Sequence, residues 1–227
     1  MIDAWRLATG TLTAFPVRPP RVMRPRQAIL FAPLVVVPLA VPVGLIVWLV
    51  PMPPGAVGLL AVAVLALGTR ALHWDGLSDV ADGLTASYDR ERSLEVMKSG
   101  ASGPAGTVAV VLAVGLQATA LSAFAGTWTG GVAAAGIVCL SRCALWIVCC
   151  SGVAPARGDG LGASFTRTVP LPVALVGTAL LSVVGGLVVW WLVQRATKRF
   201  GGVTGDVMGA AIELGLTATL LGWSVWF

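Results

Sequence analysis

The chain has 227 residues, of which 57% are hydrophobic and 11% charged, with a mean hydropathy of +0.89; soluble domains carry about a quarter charged residues. That balance excludes an ordinary aqueous fold and predicts an all-α, polytopic integral membrane helix bundle built as a single domain, residues 1–227. The formal charge of +5 is no sign of a nucleic-acid partner, because Arg18, Arg21, Arg24 and Arg26 sit directly before the first apolar run. They read as a cytoplasmic flank of a membrane span, in contact with lipid.

Met1 to Gly10 hold Asp3, Trp5 and Arg6 and no cleavage pattern follows, so no signal peptide is expected. An α-helix needs about 20 apolar residues to cross the hydrocarbon core. Candidate spans are Ile29–Val50, Ala56–Trp74, Gly106–Phe124, Val132–Ser151, Leu171–Val193 and Val207–Phe227, about six transmembrane or re-entrant helices. Pro33, Pro38 and Pro42 should kink the first. Basic flanks place the N-terminus and the acidic loop after the second span on the cytoplasmic side. A fifth full crossing would carry Arg195, Lys198, Arg199 and the following GGVTGD to the other side, so a hairpin turning at Gly185–Gly186 is expected there. Cys139, Cys143, Cys149 and Cys150 lie in one apolar segment without a C-x-x-C pair and read as packing residues. Tryptophans near span ends, Trp48, Trp74, Trp128, Trp190 and Trp191, resemble an interfacial belt. Homo-oligomerisation is left open.

The most polar stretch, Asp75 to Gly103, is where chemistry is expected, with Asp89 to Met97 forming an amphipathic helix on the membrane surface. Asp75, Asp79 and Asp82 stand at i, i+4 and i+7, within roughly 60° on one helical face. Three carboxylates so placed repel one another unless a cation neutralises them, and oxygen ligands suit Mg²⁺ or Mn²⁺. A plain acidic first turn is the alternative; adjacency to a span favours metal. Gly76 and Gly83 leave room for a substrate or another helix.

Arg142 lies inside an apolar span, where it either pairs with an acid or contacts phosphate. The loop ARGDGLGASF (156–165) offers Arg157 with backbone N–H groups around Gly160 and Gly162 to an anion. In GGVTGDVMGAAIE (201–213), which contains Gly202 and Thr204, Asp206 and Glu213 share nearly one helix face. Both suggest function, with a helix cap and a buried partner for Arg142 or a lysine as the alternatives. His73, the single histidine, is either an interfacial anchor or a base.

Together HWDGLSDVADGL (73–84), the E-x-M-K segment with its glycines (95–106), ARGDGLGASF and GGVTGDVMGAAIE resemble the cobalamin synthase family, the adenosylcobinamide-GDP ribazoletransferases, in order and separation along nearly the whole chain. The resemblance implies an inner-membrane, Mg²⁺-dependent enzyme. It would join adenosylcobinamide-GDP to α-ribazole or its 5′-phosphate and release GMP, the nucleotide-loop assembly step of cobalamin biosynthesis. It further implies a metal held by Asp75, Asp79 and Asp82, with Asp206 completing the shell or taking the ribazole 3′-hydroxyl proton. Arg142, Arg157 and Lys98 would contact phosphate. Two departures stand out: Ser99 occupies a position where the family commonly has Asp, and only Thr166 to Phe200 is available where the family fits two spans. Competing readings are a CDP-alcohol phosphotransferase, whose D-G-x-x-A-R opening is missing after Asp75-Gly76, and a non-catalytic corrinoid-binding or transport subunit.

Overall fold

Prolines start several of the apolar runs, where the missing N–H costs nothing. In the computed structural model, which describes residues 1–227, the elements are α1 (Ile2–Leu12), α2 (Pro25–Val35), α3 (Val37–Leu49), α4 (Pro54–Thr69), α5 (Leu72–Ala86), α6 (Arg90–Lys98) and α7 (Pro104–Ala123). After them come α8 (Trp128–Leu140), a 3-10 turn at Ser141–Cys143, α9 (Ala144–Val148), α10 (Gly160–Phe165), α11 (Leu171–Leu180), α12 (Ser182–Phe200) and α13 (Gly205–Ser224). Apart from two isolated bridges, Cys150 with Val169 and Pro155 with Val203, there is no strand pairing.

Four segments are long and apolar enough to cross a membrane: α2–α3, α7, α8–α9 and α13. The expected kink in the first falls at Val36, just before Pro38, whose ring removes a helical donor. The expected second span is cut short. Arg70 and Ala71 adopt left-handed φ values of 56° and 54°, and the chain bends by 91° between α4 and α5. The end of α4 is tied to the chain beyond α1 by Ala14 N–H donating to Gly68 O at 2.7 Å and Arg70 Nη2 to Thr13 O at 3.4 Å. Thus α4 and α5 form a broken span, with α4 the apolar limb and α5, carrying the aspartates, the polar one.

The fifth expected crossing is a hairpin, as the charge pattern demanded, but its turn lies at Leu181–Ser182. Ser182 takes φ 59°, and Gly185 and Gly186 belong to α12, where Gly186 lets the returning helix touch Thr178. Trp190 Nε1 donates to Thr178 Oγ1 at 2.9 Å, so this tryptophan locks the hairpin. At about 1.5 Å per residue, the ten residues of α11 cannot cross a hydrocarbon core of about 30 Å. The α6 helix also departs from expectation. Asp89 caps it by accepting from Arg92 N–H at 2.8 Å, but Met97 is buried and Leu94 packs against the main core, so α6 docks on α5 and α12 instead of lying free on a lipid surface.

Two apolar cores result. One joins α3, α4, α7, α8 and the C-terminal end of α13; the other gathers α1, α2, α5, α9, α11, α12 and the first half of α13. The cysteines Cys143, Cys149 and Cys150 are free and buried in the second, in the packing role expected.

Candidate active site

The site is built where α5 crosses the start of α13. A Cβ on Gly76 would stand 2.7 Å from the Asp206 carbonyl oxygen, and one on Gly209 3.1 Å from His73 Cα. Gly76 leaves no room for a side chain and Gly209 little, and this approach brings Asp75 and Asp79 of α5 towards Asp206 of α13. Gly83 similarly receives Met97 of α6, so both glycines admit a helix. Burial first, and then the charges of Asp75, Asp206 and Asp82, push the Asp79 carboxyl up to about 6.

Asp82 has a different task from the one its spacing suggests. Its two oxygens accept Gly103 N–H at 2.7 Å and Gly106 N–H at 2.8 Å, which seats the carboxylate on the N-terminus of α7. Spacing along α5 could not reveal that a second helix begins there. No group of three or more His, Cys, Asp or Glu side chains stands ready as a metal cage.

The two glycine-rich motifs are pinned together. Val203 N–H donates to Ala154 O at 3.0 Å and Ala156 N–H to Val203 O at 2.9 Å. Gly202, at φ 156°, is buried against Ala154 and Pro155, with no space for a side chain, so it supports the backbone and does not face a ligand. Thr204 caps α13, accepting from Val207 N–H and donating to Asp206 Oδ2 at 3.0 Å. Arg157 donates to Leu94 O at 2.6 Å and stands close enough to Asp206 to act on its charge. Arg90, which sequence reasoning passed over, donates to Phe200 O at 2.9 Å and Ala156 O at 2.8 Å. It clamps both motifs to α6, filling the space beside Gly201; an arginine in a polar first turn carries no pattern that announces this.

Two hollows meet at Asp206. A cleft of about 110 Å³ between α1, α2, α5, α9, α10 and α13 has His73, Asp75 and Asp206 among otherwise mostly apolar walls. Beside it, Arg157, Asp159, Gly160, Gly162 and Thr204 line a polar pocket that shares Leu161, Gly205 and Asp206 with the cleft.

Below the cleft lies a buried polar network. Glu213 Oε2 accepts from Trp74 Nε1 at 2.8 Å and Gln117 Nε2 at 2.7 Å, while its Oε1 stands 3.6 Å from His73 Nδ1. His73 is therefore no interfacial anchor, and Trp74 no member of an aromatic belt. Arg142, 1% exposed, donates to Val138 O at 3.1 Å and Ser141 Oγ at 2.7 Å. Arg142, expected to pair with an acid or contact phosphate, and Glu213, expected at the substrate site or as a buried partner, both lie in the interior and line neither hollow. Lys98 is exposed at the end of α6 and lines neither hollow.

Apolar helices long enough to cross a membrane, packed with almost no strand pairing, define a class: a polytopic membrane helix bundle. The family model described as Cobalamin-5-phosphate synthase matches residues 4–224, and the chain belongs to that family. It is 61% identical to the adenosylcobinamide-GDP ribazoletransferase of Nocardioides sp. (strain ATCC BAA-499 / JS614) over 99% of both chains. Its identity is 39% to the protein of that name from Frankia casuarinae, over 74% of this chain and 69% of the relative, and 36% to that from Pseudomonas entomophila, over 98% of both. No solved structure matches.

Proposed function

We propose that this protein transfers the adenosylcobinamide phosphate moiety of adenosylcobinamide-GDP to α-ribazole or its 5′-phosphate, releasing GMP, with its active site on the cytoplasmic side of the membrane. The observation that carries this reading is the close packing of α5 on the start of α13 at Gly76, which puts Asp75 and Asp206 within electrostatic reach of Asp79, beside Arg157 and the 156–165 loop. Membership of a family whose relatives are named for this transfer supplies the substrates.

The donor set fits Mg²⁺: carboxylate oxygens only, too few for a closed cage, as suits an ion that keeps waters and takes substrate phosphate oxygens as further ligands. Asp82 is left out because its oxygens hold α7. When bound between Asp75, Asp79 and Asp206, the ion would neutralise the diphosphate. Arg157, from the neighbouring pocket, contacts phosphate oxygens. His73 receives the proton as the ribazole hydroxyl oxygen attacks the cobinamide-bearing phosphorus and the bond to the GMP oxygen breaks. Glu213, facing Nδ1, keeps Nε2 as the accepting atom.

Purified protein given both substrates should release GMP with Mg²⁺ and not with EDTA, and Asp79→Asn should lower turnover about a hundredfold or more. Undiminished turnover in that variant, or equal turnover in EDTA, would remove the metal assignment; absence of GMP from folded protein would remove the reaction.

A further inference from the structure

Away from the aspartates, the last turns of α12 and the end of α5 enclose a hollow of another kind. It measures about 450 Å³ and is lined by Leu84, Tyr88, Trp191, Arg195, Lys198 and Arg199. None of its three cations takes part in an ion pair, since those of the molecule join Arg6 to Asp3, His73 to Glu213 and Arg92 to Glu95. Arg195 instead stands over the Trp191 ring at 5.6 Å and Arg199 over the Tyr88 ring at 4.5 Å. Such stacking uses the flat face of a guanidinium and leaves its N–H edge for an anion; Arg199 spends one N–H on Leu84 O at 3.0 Å. Basic residues in a last turn favour the helix dipole, which accounts for Lys198 and Arg199. It does not account for Arg195, one turn earlier, or for two rings left open to the outside, Tyr88 at 96% and Trp191 at 52% exposure.

The rest of the same helix face selects the occupant. At about 100° per residue, Val184, Leu187, Trp191, Arg195 and Lys198 fall within roughly 80° on α12, and Val184 and Leu187 are exposed. One stripe thus passes from bare aliphatic side chains through an indole to two cations, the order of chemistry met on leaving a hydrocarbon core for the headgroup layer. We propose that this hollow binds one anionic phospholipid of the bilayer, its phosphodiester among Arg195, Lys198 and Arg199 and its acyl chains along Leu187 and Val184. A soluble nucleotide or phosphate would pair with the same cations but has no use for the apolar stripe. A zwitterionic lipid brings an ammonium group that the cations repel. Because α12 runs straight into the 201–213 motif, a lipid held there fixes the end of the bundle that carries Asp206.

Native mass spectrometry of the full chain, released from mixed micelles holding equal amounts of phosphatidylglycerol and phosphatidylcholine, tests this. One phosphatidylglycerol should stay bound in preference to phosphatidylcholine. The double variant Arg195→Gln/Lys198→Gln should lower that preference about tenfold or more. Arg195→Lys/Lys198→Arg, which keeps both charges, should retain it. So should Arg18→Gln/Arg21→Gln, which removes the same charge from the N-terminal flank. Equal retention of the two lipids by the native protein overturns the proposal, as does an unchanged preference in Arg195→Gln/Lys198→Gln. An equal loss in Arg18→Gln/Arg21→Gln would reduce the effect to diffuse attraction by net charge and overturns it too. Excess GMP separates the sources of phosphate: a lipid that stays in place is held as a bilayer component, whereas its displacement would make the hollow a nucleotide site instead.

Discussion

The two halves of the bundle hold together by different means. Around α3, α4, α7 and α8 the helices meet through small residues. A Cβ on Gly44 would strike the Gly131 carbonyl, and one on Gly58 the backbone of Ala118, the close approach that stabilises helices when lipid offers no hydrophobic gain. Around α5 and α13 the same device appears at Gly76 and Gly209, but there it brings charges together: three aspartates at the edge, and His73, Glu213, Gln117 and Arg142 beneath. The first half is a platform. The second buries polar groups around the proposed site, and α13, buried along most of its length, belongs to both.

The contrast is broken most severely by Glu213→Leu. It strips an acceptor from Trp74 and Gln117 and leaves Arg142 without its nearby countercharge, a loss of about 3–5 kcal/mol for a buried charge left unpaired. Thermal unfolding in detergent reads it out. Glu213→Gln should recover much of the stability while leaving GMP release low, because an amide does not fix the His73 proton as a carboxylate does. Full activity in Glu213→Gln would show that the network only supports the fold.

In the platform half, Gly58→Val forces α4 off α7 and should cost about 1–3 kcal/mol, the usual penalty of overpacking. Because the damage is remote from α5, the Mg²⁺ concentration for half-maximal GMP release should stay the same. A raised Mg²⁺ requirement would mean that the halves are mechanically coupled through α13.

Much of the fold was legible because hydropathy and basic flanks obey simple physics. The apolar runs became helices, the kink fell beside Pro38, and the conflict in the charge count at Arg195–Arg199 correctly demanded a hairpin. What escaped were tertiary facts. The bend at Arg70–Ala71 comes with bonds to Thr13 and Ala14, far back in the chain, and the hairpin turns at Ser182 while the glycines serve packing, Gly186 against Thr178 and Gly185 against Thr219 of α13. At the site, helical periodicity grouped Asp75, Asp79 and Asp82 but could not tell that the third is consumed by the N-terminus of α7. Nor could a lone arginine in an apolar run disclose whether it faced a ligand or, like Arg142, its own helix.

That division of labour among the aspartates is open to a smaller, sharper test. Asp82→Ala removes a carboxylate from two helix-terminal N–H groups and should cost about 1–2 kcal/mol of stability, yet leave the Mg²⁺ dependence of the remaining activity unchanged. Asp75→Asn should do the opposite, raising the Mg²⁺ requirement with little effect on unfolding. Matching Mg²⁺ curves for the two variants would return Asp82 to the metal site.

The smallest effect is a titration. With no metal bound, Asp79 keeps its proton up to about pH 6, whereas its ordinary value is 3.8. The folded state thus binds the proton more tightly than the unfolded one, so this group's contribution to stability is complete below 3.8 and is lost as pH rises through about 6. Carbon NMR of labelled aspartate follows it directly. Asp75→Asn removes the largest of the neighbouring charges, so the midpoint should fall; it should stay above 3.8 because burial, the leading cause, remains. Mg²⁺ added to the native protein should lower the midpoint further, by placing positive charge among the carboxylates. A midpoint unmoved by Asp75→Asn would mean that the two side chains do not share a field, and the proposed Mg²⁺ position at the α5–α13 crossing would lose its electrostatic support.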